Sequence, residues 1–358
     1  SDLPIKDLVF YVYRVGVWGL SALAETGTVV MVLLLATRLY GRRVGLLASL
    51  LAALAVLHIQ LSHFYAVDTF LTFFIVASVY FMARVVQEGR LRDSLLAGAF
   101  LGLALASKVS VAPLLLAFVV AHAIHVLSPS GGRLSLARPP RYLLMLTARN
   151  LLLGGVASFA LFFITTPYAF LDWYRPEPCP VPYSFLEPLN RNYYVCDVGG
   201  QLNMARGSSG LPFTQQYIGT TPYWYQVQQL ALFGLGLPLG VVAWASLLFT
   251  VALAAARRSK GDLLLLAWVI PYFLLTGYLQ VKFLRYMLPL TPFLIIMGSR
   301  MLFWVRDAVA AWRPQHLYLV RWSMGLVIVA TGFYALSYLT IYSKPHTSLR
   351  ASQWIKDN

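Results

Sequence analysis

Charge is scarce in this sequence. Lys, Arg, Asp and Glu together make up 11% of 358 residues, against about 25% in a soluble globular domain. That shortage excludes an ordinary soluble enzyme. Cysteine is nearly absent too, at two residues, which excludes a cysteine-rich zinc or iron–sulfur fold. The chain contains no nucleotide-phosphate glycine loop, no zinc cysteine set, no G-x-S-x-G and no helical H-E-x-x-H, so the common nucleotide, esterase and metalloprotease chemistries find no support. A basic leader with a cleavage site is also missing, since the chain opens SDLPIKD.

What is present is apolar length. Hydrophobic residues reach 59%, and a bilayer core takes about 20 apolar residues per helix. Runs of that kind predict an all-α polytopic membrane protein with about ten spans, near residues 12–37, 44–61, 66–84, 94–107, 110–127, 151–167, 233–256, 262–279, 285–304 and 320–342. This divides the chain into an N-terminal membrane half (1–167), an outer loop (168–232), a C-terminal membrane half (233–342) and the start of an outer segment (343–358). Residues 128–150 read as a basic inner loop.

Net charge is +15. On a soluble chain that would suggest nucleic acid, but the distribution gives another reason. With residue 1 outside, the inner loops hold seventeen cations, most of them arginine, against four acids: Glu88, Asp93, Asp262 and Asp307. The outer side holds eleven cations and eight acids. Cytoplasmic loops carry such an excess, so no nucleic-acid partner is expected. Both cysteines, Cys179 and Cys196, fall in the outer loop, where an oxidising compartment predicts a disulfide. PYWY at 222–225 suits an interfacial aromatic belt and predicts an amphipathic helix from about Pro222 to Phe233.

Two polar constellations interrupt the apolar pattern. HIQLSHFYAVDTFLTFF, from His58 to Phe74, joins two spans at their outer ends. Asp68 lies about a turn inside the membrane, where an acid needs a wet cavity or a partner; a plainer role is to complement the helix dipole. Two histidines five apart with one acid, His58 and His63, do not fix a metal site. The second constellation is LQVKFLRYMLPLTPF, Leu279 to Phe293. Lys282 and Arg285 are three apart and, on a helix, share a face. Such a pair can clamp a phosphate, with Tyr286 beside it. Pro289 and Pro292 are expected to kink this helix and open it toward a cavity. Lys108, in the turn ASKVSVAP, can complete the anion pocket. Glu25 is a mid-span carboxylate whose partner the sequence does not name, and His122 and His125 read as structural.

These stretches carry a resemblance. RLYGRRVGLLASLLAAL, LSHFYAVDTFLTFF, GAFLGLALASKVSVAPLLL, KFLRYMLPLTPF and HTSLRASQWI, in this order, resemble the GT-C membrane glycosyltransferases of the family 39 type, which include protein O-mannosyltransferases and the aminoarabinose transferase of lipid A. The resemblance implies a hexosyl or pentosyl transferase using a polyprenyl-phosphate sugar, with a protein, lipid or glycan acceptor and surrounding membrane lipid as partners. Transfer would invert the sugar by direct displacement on the extracytoplasmic face of a bacterial or archaeal plasma membrane. It assigns a catalytic role to Asp68 and substrate-binding roles to Lys108, Lys282 and Arg285; Tyr286 and His63, from the same two polar stretches, are expected to bind substrate with them. It implies no nucleotide cofactor, and a divalent cation is compatible with it but not specified. It also implies an eleventh helix and the principal general base upstream of residue 1, because neither Asp2 nor Asp7 stands in the family's acidic context. The alternatives are a non-catalytic subunit with the same fold and a transporter of a lipid-linked anion; the latter should show an internal repeat, and none is visible.

Overall fold

The computed structural model describes residues 5–127, 140–172, 174, 177, 179, 191–208, 210–257, 259–343 and 347–357. Asp2, Arg133, Arg138, Arg258, Lys344 and positions 180–190 of the outer loop lie outside the described residues, as does the side chain of Asp7. Among the described residues every regular element is helical. The first half runs α1 (Ile5–Tyr40), α2 (Arg42–Ala53), α3 (Val56–Ser62), α4 (Val67–Glu88), α5 (Leu91–Ser107), a 3₁₀ turn (Val109–Val111), α6 (Pro113–Leu127) and α7 (Arg141–Thr165). Short helices α8 (Tyr168–Leu171), α9 (Tyr193–Ala205), α10 (Pro212–Gln215) and α11 (Trp224–Gln229) follow, and α11 continues into one π-turn, Leu230–Gly234. The second half holds α12 (Leu237–Arg257), α13 (Lys260–Tyr278), a 3₁₀ segment (Leu284–Leu290), α14 (Thr291–Trp312), a 3₁₀ turn (Pro314–His316), α15 (Leu317–Leu339) and α16 (Thr347–Asp357).

Among the described residues eight helices are long and apolar enough to cross a membrane, so the chain is a multi-pass integral membrane protein. The α2–α3 pair makes a ninth if it is one span bent by 56°. The remaining expected span, 94–107, is α5, a helix of 17 residues. Three readings need correction. Residues 141–150 are not loop but the first turns of α7. There Asn150 is buried and donates from Nδ2 to the Gly89 carbonyl at 2.9 Å, so a polar residue that looked solvent-facing is an internal tether. The helix expected at Pro222–Phe233 is instead α11 plus its π-turn. Pro289 and Pro292 do not kink one helix: Pro289 lies in the 3₁₀ segment and Pro292 in the first turn of α14, where a missing N–H costs little.

The core is centred on α14, whose first nine residues, Thr291 to Ser299, are all buried. Trp268, Tyr272 and Phe293 are the bulkiest fully buried side chains around it. Small residues let α5 and α7 touch backbone to backbone. A Cβ at Gly98 would overlap the Gly154 carbonyl, one at Gly102 would overlap that of Ser158, and one at Gly154 would come within 2.6 Å of the Ser94 carbonyl. This is the small-residue packing that membrane helices use in place of a hydrophobic drive. Gly89 turns α4 into α5 with φ +63°, a conformation that favours glycine.

The two ends of the bundle differ in charge. At one end Arg38 and Arg90 pair with Glu88, Arg84 pairs with Asp93 at 2.6 Å, and Arg300 pairs with Asp262 while stacking over Tyr40 at 4.3 Å. Asp93 and Asp262 are 1% and 0% exposed; guanidinium groups facing them sustain both in apolar surroundings, and Asp262 also accepts from the Tyr40 hydroxyl at 2.7 Å. The other end holds the polar constellations.

Candidate active site

Three chain reversals converge at that other end. α4 begins after Ala66, whose extended backbone delivers Asp68 into the first turn, where it is 2% exposed. α5 ends at Lys108, which turns extended and feeds the 3₁₀ turn before α6. The Lys108 ammonium donates to Asp68 Oδ1 at 3.0 Å and sits 4.1 Å from the centre of the Tyr286 ring. Tyr286 belongs to the 3₁₀ segment Leu284–Leu290, fixed from below by the Tyr272 hydroxyl, which donates to the Tyr286 carbonyl at 3.0 Å.

Arg285 is the exposed member of the group. Its guanidinium lies 5.1 Å from the Phe283 ring centre and 5.8 Å from that of Tyr286. Cation–π contact of this kind holds the charge in place without neutralising it. Tyr217, 5% exposed in the outer loop, packs edge-on against Phe283 at 5.6 Å. Burial first, then its tyrosine neighbours, pushes its phenol up to about 12, with Arg285 opposing. Tyr217 therefore stays a neutral hydroxyl beside the guanidinium at physiological pH.

Lys282 extends the group inward. It is 3% exposed, and its ammonium donates to Thr220 Oγ1 and to the Gln280 carbonyl, both at 3.1 Å. Thr220 in turn donates to the Tyr217 carbonyl at 2.7 Å. Among the described residues neither Lys282 nor Arg285 has an acidic partner. The expected shared helix face is a correction: Lys282 lies in the extended link 281–283, and only Arg285 is in the helical turn.

The structure thus joins Asp68, Lys108, Tyr286 and Arg285 in one chain of contacts, with Lys282 reached through Thr220 and Tyr217. His63 does not join them. It is exposed, donates to the Ile59 carbonyl at 2.7 Å and stacks on Tyr342 at 4.1 Å. Tyr217, Thr220 and Tyr272 escaped sequence reasoning. The aromatic density of the outer loop signalled a membrane belt rather than a wall around a cation.

His58 and Glu25, which stood apart in the sequence, meet in the core. Glu25 Oε1 contacts His58 Nδ1, and His58 Nε2 lies 2.6 Å from Thr291 Oγ1. His122 contacts Ser94 at 3.0 Å and the Phe118 carbonyl at 2.9 Å, and His125 lies against the Val86 carbonyl at 3.4 Å. Among the described residues no three His, Cys, Asp or Glu side chains converge to hold a metal ion. Among the described residues of this group Asp68 is the one carboxylate, and it faces a lysine. The outer loop is pinned by the Cys179–Cys196 disulfide. Asn192 caps α9 by accepting from the Val195 amide at 3.0 Å and donates to the Ala169 carbonyl at 3.1 Å.

Residues 8–159 match the family described as dolichyl-phosphate-mannose-protein mannosyltransferase. No curated protein matches the chain. Among solved structures, an Archaeoglobus fulgidus oligosaccharyltransferase tethered to an acceptor peptide aligns over 96% of this chain and 46% of its own, at 15% identity and TM-score 0.58. The oligosaccharyltransferase AglB from Archaeoglobus fulgidus, in complex with an inhibitory peptide and a dolichol-phosphate, aligns over 96% and 47%, at 15% identity and TM-score 0.56. ArnT from Cupriavidus metallidurans bound to undecaprenyl phosphate aligns over 90% and 57%, at 17% identity and TM-score 0.50. The chain therefore spans about half the length of the structures it matches. A helical membrane bundle shared along nine-tenths of the chain with these enzymes gives it the GT-C glycosyltransferase fold.

Proposed function

We propose that this chain is the membrane part of a glycosyltransferase that moves a sugar from a polyprenyl phosphate to an acceptor at the extracytoplasmic surface. The observation that carries the reading is the unneutralised Arg285, stacked on Phe283 and Tyr286 beside the Lys108–Asp68 pair. A cation held by rings and lacking an acid partner is ready for an anion. The matched family's description and the dolichol-phosphate and undecaprenyl phosphate in the aligned structures point the same way. In this reading residues 168–232 and 343–358 lie on the outer side, between and after two membrane halves, 1–167 and 233–342.

The geometry supports an exchange of partners. An arriving lipid phosphate binds Arg285 and competes with Asp68 for Lys108. Released from the ammonium, the Asp68 carboxylate is free to orient the acceptor hydroxyl and to assist the family's principal general base as that base takes the hydroxyl proton. The acceptor oxygen then bonds to the anomeric carbon as the bond from that carbon to the phosphate oxygen breaks. The departing electron pair stays on the phosphate, held by Arg285 and Lys108. Direct displacement inverts the sugar.

The double substitution of Lys282 and Arg285 by alanine tests the clamp. Each charged hydrogen bond is worth about 1.5–3 kcal/mol, so binding of undecaprenyl phosphate in lipid nanodiscs should weaken at least ~10-fold. Undiminished binding by the folded double variant removes the clamp.

A pH series separates Lys282 from an exposed lysine. Burial pushes its ammonium below the ordinary value of 10.5. As pH rises through that lowered value the ammonium loses its proton, and anion binding should fall earlier than an exposed lysine allows. Folding stability should move the other way. In the same window the unfolded chain still binds the proton that the folded chain has released, so stability rises with pH. Lys282→Met should flatten both trends in binding isotherms and thermal melts, and two slopes unchanged by that substitution would remove Lys282 as their source.

A further inference from the structure

An acid inside a membrane span is costly and needs a partner or a cavity. Glu25 is 7% exposed on α1, and its partner is His58, 1% exposed on α3. His58 reaches it because the chain breaks at Leu54 and Ala55 and bends by 56° between α2 and α3. The other ring nitrogen lies 2.6 Å from Thr291 Oγ1. Thr291 has one hydroxyl hydrogen, and it is directed to the Leu288 carbonyl at 2.8 Å. His58 Nε2 is therefore placed to donate to the Thr291 hydroxyl oxygen, while Nδ1 faces the Glu25 carboxylate. Glu25 Oε2 is buried with no partner among the described residues.

A carboxylate, an imidazole and a hydroxyl in sequence suggest a nucleophile triad, but two facts exclude it. Thr291 is 0% exposed, and its hydrogen is committed to a backbone carbonyl rather than to the imidazole. What the relay does connect is three elements. Leu288 lies within the 3₁₀ segment that displays Arg285 and Tyr286, and Thr291 directly follows that segment. The π-turn closes the same junction, since Gly234 lies between Leu57 of α3 and Leu284.

We propose that Glu25, His58 and Thr291 are positioning residues that fix the segment Leu284–Leu290, and with it the anion-gripping face of Arg285 and Tyr286. This rests on the lipid-phosphate reading above. A polar relay is directional where apolar packing is not, so it sets the rotation of the turn as well as its depth.

Thr291→Val keeps shape and removes only the hydroxyl, whereas Thr291→Ser restores it. Glu25→Met replaces the buried acid with an apolar side chain that the membrane accepts, so it should fold even if Thr291→Val does not. Binding of undecaprenyl phosphate to the full chain in nanodiscs should weaken roughly fivefold or more in Thr291→Val and Glu25→Met, and stay near wild type in Thr291→Ser. Amide hydrogen exchange over residues 284–290 should quicken in the two weakened variants. Wild-type binding in both of them, with Arg285→Ala still defective, overturns the relay and leaves the lipid-phosphate reading standing. Equal weakening by Thr291→Ser and Thr291→Val also overturns it, because the hydroxyl is then not the cause. Failure of the wild-type chain to bind undecaprenyl phosphate overturns both readings.

Discussion

Asp68→Asn should lower sugar transfer by roughly 10²-fold, the low end of what a positioned acid–base group contributes, because Asp68 assists the principal base, while lipid-phosphate binding holds or tightens. The two effects part company because Lys108 is shared. Its ammonium now spends a hydrogen bond on Asp68 Oδ1 at 3.0 Å. Asparagine has nearly the same shape but no charge, so the lysine turns more readily toward an incoming phosphate. Turnover falls and affinity rises in one variant, a combination that a merely destabilised protein does not show. Lys108→Met should weaken binding and leave the carboxylate unengaged. Release of polyprenyl phosphate from polyprenyl-phosphate mannose, glucose or aminoarabinose, with membrane extract supplying acceptors, reads turnover; nanodisc titration reads binding. Normal turnover by Asp68→Asn would return Asp68 to a helix-dipole partner at the start of α4.

Gly98→Ala should be among the most damaging single-atom changes in the bundle. Helix propensity favours alanine over glycine by about 1 kcal/mol, so by local preference the substitution stabilises. The added carbon, however, meets the Gly154 carbonyl, a backbone atom that cannot rotate away. α5 and α7 must then separate along the seam from Ser94 to Ser158, and overpacking of this kind costs about 1–3 kcal/mol or more. Gly155→Ala is the control, since nothing lies within 4 Å of its new carbon. It should be neutral or mildly stabilising in thermal melts. Equal melting temperatures for the two variants would show that the seam is not a close contact.

The membrane helices were legible because lipid demands long apolar runs and the arginine bias marks one end. The constellations were legible as residues out of place. What the sequence concealed was partnership. Glu25 and His58 are 33 positions apart, and Thr291 lies 233 beyond His58, so no periodicity links them; only the break after α2 aims the ring at its acid. Lys282 and Arg285 looked like one helix face because three-residue spacing says nothing about whether a helix is present. The non-helical link 281–283 decides that: it holds Lys282, while Arg285 falls in the 3₁₀ segment that follows. The start of α7 was hidden for a different reason. Arg141, Arg149 and Asn150 resemble loop residues, yet Arg149 bonds Asn150 Oδ1 at 3.2 Å while Asn150 Nδ2 holds Gly89, all within a continuous helix.

α5 carries one further consequence. At 17 residues and 1.5 Å per residue it measures about 26 Å, a few ångströms less than a hydrocarbon slab of ~30 Å. Its outer end therefore stops short of the slab's outer face, and water must come down to Lys108 to solvate the ammonium. Under the proposed function, an isoprenoid phosphate arriving laterally would meet the ammonium without leaving its own leaflet. Bilayer thickness would then control the proposed transfer: long-chain lipids should hold the phosphate too high, and short-chain lipids should bring it into register.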